Sequence, residues 1–165
     1  MNKRGQLKIS FRMIFSIILM VIFIAFAGYA IQKFLELQDI VQVGKFTDDF
    51  QADIDKIWRG SQGSVEKEYV LPKDVISICF TDYSFEKRGE SENLYDAFLE
   101  VYFEKENFFF YPVGSGEGLD SKEMKHINLE KITENENPFC VENINGKVKL
   151  IIKKNFGEAL VTIVK

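Results

Sequence analysis

Few residues of this chain have side chains suited to acid–base or nucleophilic chemistry. His126 is the only histidine among the 165 residues. A Ser–His–Asp triad, a Cys–His pair and a multi-histidine metal site therefore lack the residues that they need. The polar run Lys122–Lys125 precedes His126, which favours an ordinary surface position for the imidazole.

A group of carboxylates and a glycine-rich segment are the other candidates for a reactive or binding site. The segment 114–118, GSGEG, has neither the Gly-Lys-Ser/Thr of a phosphate-binding loop nor the third glycine of a dinucleotide-binding loop, and we interpret it as a flexible linker. The carboxylates are scattered over a charged stretch without the spacing of a calcium loop; they are Glu90, Glu92, Asp96 and Glu100. We therefore expect no enzyme activity, no cofactor and no metal.

The two cysteines, Cys79 and Cys140, have a spacing that fits no metal site. Two cysteines in an exported domain favour one disulfide, and two free, buried thiols are the alternative. Closing a loop of about 60 residues would stabilise the fold by roughly 4 kcal/mol in the chain-entropy model.

An aromatic run interrupts the polar second half of the chain. It consists of Phe108, Phe109, Phe110 and Tyr111. Successive residues of a strand point to opposite faces, so two of these side chains would be core and two would face outward. An exposed aromatic pair would mark an interface with the helix, with lipid or with a partner, and simple core packing is the alternative.

An uncharged segment near the start of the sequence is predicted to anchor the rest of the chain. Residues 13–32 carry no charge, and twenty helical residues at 1.5 Å each cross a hydrocarbon core of about 30 Å. Residues 1–12 contain four basic and no acidic side chains. Basic residues before a first span indicate a cytoplasmic N-terminus. We expect a single-pass protein of the cell membrane that contacts lipid.

The residues after the span carry the opposite charge. Residues 33–165 hold 17 of the 21 basic residues and all 25 acidic ones, a net charge of −8, which argues against a nucleic-acid partner. Apolar residues recur at helical intervals over 33–60, which predicts an amphipathic continuation of the membrane helix, ended by the segment 60–64. Its apolar face must pack on the protein's own domain or on a neighbouring copy.

The remaining segment, 64–165, is predicted to be an extracytoplasmic domain rich in β-strands. Residues 99–103 and 108–113 are predicted to form a hairpin around a polar turn, and 127–132 a strand or a short helix. Asn145-Gly146 between two extended runs favours a type I′ turn, which predicts a final three-stranded meander over 139–164. We expect six to eight strands, mostly antiparallel. The predicted fold class is α+β: one long N-terminal helix followed by a small antiparallel β domain.

Residues 3–6, Lys-Arg-Gly-Gln, followed by the long apolar helix, resemble the class III signal peptide of archaeal type IV pilin-like proteins. The resemblance implies that a membrane peptidase cuts between Gly5 and Gln6 on the cytoplasmic side. It further implies that the uncut helix then packs with copies of itself or with pilin-like partners, while a β domain faces outward. The motif covers residues 3–32, and the rest of the chain is similar in architecture alone.

Two features depart from that family pattern. Many members carry an acidic residue at the fifth position after the cut, where this chain has Ser10, and Lys8 and Arg12 leave the mature N-terminus strongly basic. Basic groups are costly in a closely packed filament core. The sequence thus favours a minor-pilin or pseudopilin type of assembly or adhesion subunit. The alternative is a membrane-tethered binding domain without a filament role, and an anchored enzyme ranks third.

Overall fold

The computed structural model describes residues 11–102 and 105–165, and the chain divides into two compact units between Gln38 and Asp39. The described part contains three helices and seven strands, and the predicted α+β class is confirmed. In chain order the elements are α1 (Phe11–Arg59), β1 (Gly63–Val70), β2 (Ser77–Phe80), α2 (Glu92–Val101), β3 (Phe108–Tyr111), β4 (Ser121–Lys122), α3 (Leu129–Ile132), β5 (Phe139–Glu142), β6 (Lys147–Lys154) and β7 (Thr162–Val164).

Helix α1 is amphipathic in the part that belongs to the second unit. Its buried apolar residues follow one another at intervals of three or four, which places them on one stripe of the helix; they are Val43, Phe46, Phe50 and Ile54. The helix ends at Arg59, where Lys154 Nζ donates to the carbonyl oxygens of Trp58 at 2.7 Å and Gly60 at 3.0 Å. A lysine ammonium at this position satisfies carbonyls that a helix end leaves without partners.

The strands form two antiparallel sheets. The first sheet has the order β1-β6-β7 and the second has the order β4-β3-β2-β5. Six to eight mostly antiparallel strands were expected from the sequence, and the seven strands of the described residues confirm this. The core lies where both sheets meet α1: the Phe46 ring is 5.3 Å from the Tyr69 ring of β1 and 5.8 Å from the Phe110 ring of β3.

The predicted hairpin over residues 99–113 is wrong. Residues 92–101 form helix α2, and β3 pairs instead with β2 and β4. Leu94, Phe98 and Val101 lie four and three residues apart, which is the spacing of a helix face. Phe98 is fully buried, and its ring stacks at 4.8 Å on Phe109 of β3. The helical period was therefore present in the sequence beside the apolar run that favoured a strand.

The predicted three-stranded meander is confirmed for its last two strands, since β6 pairs with β7, and it is wrong for its first strand, β5, although the turn before β6 has the expected geometry. Asn145 and Gly146 have φ values of 57° and 83°, as a type I′ turn requires. Only Ile144 and Lys147 pair across the turn, after which β5 joins the second sheet and β6 the first. The amide of Asn143 donates to the carbonyl oxygens of Pro72 at 2.8 Å and Val75 at 2.7 Å. These bonds hold the chain after β5 against the segment that precedes β2, and so keep it apart from β6.

Candidate functional site

The longest exposed apolar surface of the described residues is the first part of α1. Every residue from 13 to 32 is exposed, and the helix is the one element of residues 11–102 and 105–165 that is long and apolar enough to cross a membrane. A long run of exposed, large apolar side chains is typical of a surface that contacts a membrane or another protein. The length and the composition of the helix support this membrane span. The processing residues Gly5 and Gln6 lie outside the described residues.

The aromatic run does not form an exposed surface. Phe108, Phe109 and Phe110 are fully buried, and Tyr111 is partly buried. The expectation of two outward-facing aromatic side chains is therefore wrong, because both faces of β3 are covered. Phe108 and Phe110 contact Phe46 of α1 at ring distances of 6.0 Å and 5.8 Å.

The opposite face of β3 is covered by α2. The Phe109 ring contacts Phe98 at 4.8 Å and Tyr102 at 5.2 Å, and these two rings also contact each other at 6.3 Å in a small aromatic cluster. Of the interface partners considered for the run, contact with the long helix is present for Phe108 and Phe110. The run thus belongs to the core of the second unit.

The two cysteines lie opposite each other on neighbouring strands. Cys79 of β2 pairs in register with Cys140 of β5, their Cα atoms are 4.1 Å apart, and a disulfide joins them. Cys79 is fully buried, and Cys140 lines the groove described below. The bond ties a central strand of the second sheet to its edge strand, across a sequence separation of 61 residues.

His126 has more contacts than a surface position implies. Its Nδ1 lies 2.9 Å from Oδ1 of Asp55, and its ring stacks at 3.7 Å on Trp58, nearly parallel. Gln51 donates to the same carboxylate at 2.8 Å and also bonds the backbone of Lys125. The sequence offered one sign of this cluster: residues 51, 55 and 58 share a side of α1. Their partner is 68 or more residues away, and nothing local indicates it.

The electrostatics of this cluster favour the charged carboxylate. The hydrogen bond from His126 lowers the pKa of Asp55 below its usual 3.8; burial opposes this, and Gln51 and the charge of Arg59 add to it. A histidine–carboxylate pair is an acid–base element. A triad needs in addition a nucleophile within hydrogen-bond reach of the imidazole, whereas the contacts of the His126 ring in the structure are with the carboxylate of Asp55 and the indole face of Trp58. The arrangement fastens the segment before α3 to α1.

We expect His126→Asn to lower the free energy of unfolding by about 1 kcal/mol at neutral pH, because the ring stacking and the bond to Asp55 are lost. His126 has a φ of 64°, and asparagine tolerates that conformation. In the folded protein the pKa of Asp55 should rise toward 3.8, which carboxyl-detected NMR measures. A carboxyl whose pKa is lower in the folded than in the unfolded state stabilises the fold at pH values above its unfolded pKa. The contribution of Asp55 is therefore lost as the pH falls through its folded pKa. An unchanged Asp55 titration in the variant would contradict this role of His126.

The described residues also contain an open groove of about 630 Å³ within the second unit. It lies on the α2-facing side of the second sheet, where Tyr111 and Glu142 flank Ser77 in register. Helix α2 covers the neighbouring part of that face, around Phe109, and leaves this part open. Apolar and charged side chains from both sheets form its walls; they include Ile76, Leu94, Ile144, Glu90, Lys147 and Lys165.

No group of three or more His, Cys, Asp or Glu side chains in residues 11–102 and 105–165 is placed to hold a metal ion. Comparison with known proteins adds no family. No protein-family model matches the chain, and neither a curated protein nor a solved structure matches it significantly.

Proposed function

We propose that this protein is a non-enzymatic, single-pass membrane subunit of pilin-like build, which acts in assembly or adhesion at the cell surface. One observation carries the proposal: a 49-residue helix with a fully exposed apolar first part leads directly into a small two-sheet domain. A tether needs only the span. The pilin plan, by contrast, calls for a continuous helix with an apolar outer section and a β-rich head.

The motif at residues 3–6 adds the processing step to this proposal. A cut between Gly5 and Gln6 would remove five residues and leave the whole apolar segment on the mature subunit. The helix would then hold the subunit in the bilayer, with the N-terminus cytoplasmic and the acidic domain outside. Its side chains would pack against the helices of copies or of pilin-like partners. Lys8 and Arg12 would remain on the mature subunit, which favours a minor pilin or pseudopilin over a main filament subunit.

Processing provides the direct test. When the chain is produced in a host with a class III signal peptidase, we expect intact-mass spectrometry to show a mature N-terminus at Gln6. Gly5→Leu should retain residues 1–5, because the bulky side chain blocks the cut. Asn2→Ala, in the same segment, is the matched control and should be processed normally. An intact N-terminus in the wild type would favour the tether. The small residues Ala27 and Ala30 are weak candidate sites for a conventional signal peptidase, and a cut after either would remove the anchor and defeat both proposals.

Assembly has a separate readout in the same membranes. Ala25→Cys places a thiol on the exposed apolar helix, and Glu130→Cys places one on the exposed surface of α3. Helices that pack together should give cross-linked dimers under oxidation with the first variant and far fewer with the second. Equal cross-linking in both variants would indicate random collision and would contradict assembly through the helix.

The groove favours a second candidate function, a membrane-tethered binding domain. About 630 Å³ lies within the range of small-molecule sites, and its lining combines apolar and charged side chains. In this alternative the helix only holds the domain at the membrane. The cross-linking result separates the two candidates, because a simple tether predicts no preferred contact at Ala25.

A further inference from the structure

The groove on the second sheet has an uneven balance of charge. Four carboxylates and three ammonium groups line it: Glu68, Glu90, Glu136, Glu142, Lys147, Lys149 and Lys165. The lysines are all engaged with carboxylates of the lining. Lys147 lies 2.6 Å and Lys149 lies 3.7 Å from Glu68. Lys165 lies 2.8 Å from Glu136.

The other two carboxylates of the lining are exposed and form no salt bridge with the described residues. Within the part of the chain that the structure describes, neither Glu90 nor Glu142 has a salt-bridge partner, and both are exposed. Glu142 lies in register beside Ser77 at the floor of the groove. Glu90 directly precedes Ser91 at the start of α2 and lines the wall. Lys147 and Lys149 share Glu68, so the lining as a whole keeps a net charge of −1, and Glu90 and Glu142 are its carboxylates without a salt bridge among the described residues.

The apolar part of the lining is also unusually open. Ile76 and Ile144 are 54% and 64% exposed, although both belong to a folded two-sheet unit. Leu94 and the partly buried Tyr111 line the same space. A short apolar body would shield these side chains from water, and the π face of a tyrosine attracts a cation placed over it.

We propose that this groove binds a small organic cation, a primary ammonium group on a short apolar body. The ammonium group lies between Glu142 and Glu90, and the apolar body contacts Ile76, Leu94 and Tyr111. An anion is disfavoured because every lysine of the lining already has a carboxylate beside it. A neutral apolar molecule would leave the two carboxylates without a counter-charge. This binding does not depend on whether the helix assembles with partners.

The test uses the full chain in nanodiscs of zwitterionic lipid, with para-fluorobenzylammonium as the probe and fluorine NMR as the readout. Empty nanodiscs report partition into lipid. The matched probes are para-fluorobenzyl alcohol and para-fluorobenzoate, which keep the ring and change the charge. We expect saturable binding of the cation, with the alcohol and the benzoate at least about tenfold weaker, as loss of a charge-assisted contact implies.

Three variants locate the site. Glu142→Gln and Glu90→Gln should each weaken cation binding about three- to tenfold, because each removes one carboxylate of the pair. Glu130→Gln removes an exposed carboxylate of α3 outside the groove and should leave binding unchanged. The denaturation midpoint of each variant reports that the fold is intact. The proposal is overturned if no saturable binding occurs, if the alcohol binds as tightly as the cation, or if neither groove variant changes the affinity.

Discussion

The double variant Cys79→Ala/Cys140→Ala should be about 4 kcal/mol less stable toward unfolding than the oxidised wild type. The disulfide closes a loop across 61 residues, and the chain-entropy model assigns a loop of that size about this value. A small domain is stable by only about 5–15 kcal/mol. Losing the bond therefore removes a large share of the stability. Denaturant titration of the full chain, followed by fluorescence of its single tryptophan, measures the change.

Reduction distinguishes the bond from the side chains themselves. A reducing agent should lower the denaturation midpoint of the wild type toward that of the double variant and should leave the variant unchanged. Cys79 is fully buried, so its replacement by alanine also removes some packing. The double variant should therefore be slightly less stable than the reduced wild type. If the reducing agent left the denaturation midpoint of the wild type unchanged, the result would contradict a stabilising disulfide. Structural disulfides persist in oxidising compartments, which agrees with the extracytoplasmic location proposed for the β domain.

Asn137→Asp should lower the free energy of unfolding by about 3 kcal/mol at neutral pH. Asn137 is fully buried, and its amide nitrogen donates to three backbone carbonyls of the segment 82–86. Its Oδ1 accepts from the backbone N–H of Asp82 at 3.0 Å. Aspartate keeps the acceptor but replaces the donor with a negative oxygen among carbonyl oxygens. Leaving buried polar groups unpaired costs about 1–3 kcal/mol, and a buried charge costs more.

The pH dependence of this variant tests the cause. A carboxyl buried among backbone carbonyl oxygens has a raised pKa in the folded state, so its destabilising effect is greatest at high pH and shrinks as the pH falls toward that pKa. The stability difference from wild type, measured by denaturant titration at several pH values, should follow this course. Asn93→Asp adds the same charge at an exposed position and should change stability by less than about 0.5 kcal/mol. A similar loss in both variants would point to net charge rather than to the buried amide.

Patterns that repeat along the chain were readable from the sequence. The uncharged run 13–32 and the helical recurrence of apolar residues at 43, 46, 50 and 54 predict one long helix with two surfaces of different character. The Asn145-Gly146 turn was equally local, since its geometry depends on the φ values of two residues. In each case the signal lies within a few residues of the structure that it predicts.

Strand pairing was not readable in the same way. The meander prediction assumed that strands joined by a tight turn stay paired, yet β5 bonds β2 and β6 bonds β1, more than 55 residues away in each case. The aromatic run was misjudged for a related reason. Whether Phe109 faces water or protein depends on α2, and α2 was itself mistaken for a strand.

The sequence by itself determined the membrane-competent helix, the α+β class and the antiparallel character of the domain, because composition and periodicity act over one or two turns of chain. The tertiary structure alone decided how the strands divide into two sheets. It also decided that both faces of the aromatic strand are buried, that His126 meets Asp55 and Trp58, and that Glu142 and Glu90 line one groove. These arrangements depend on the burial of side chains that are distant in sequence. The free energy of the whole core determines which of these side chains meet, and a short segment of sequence does not predict it.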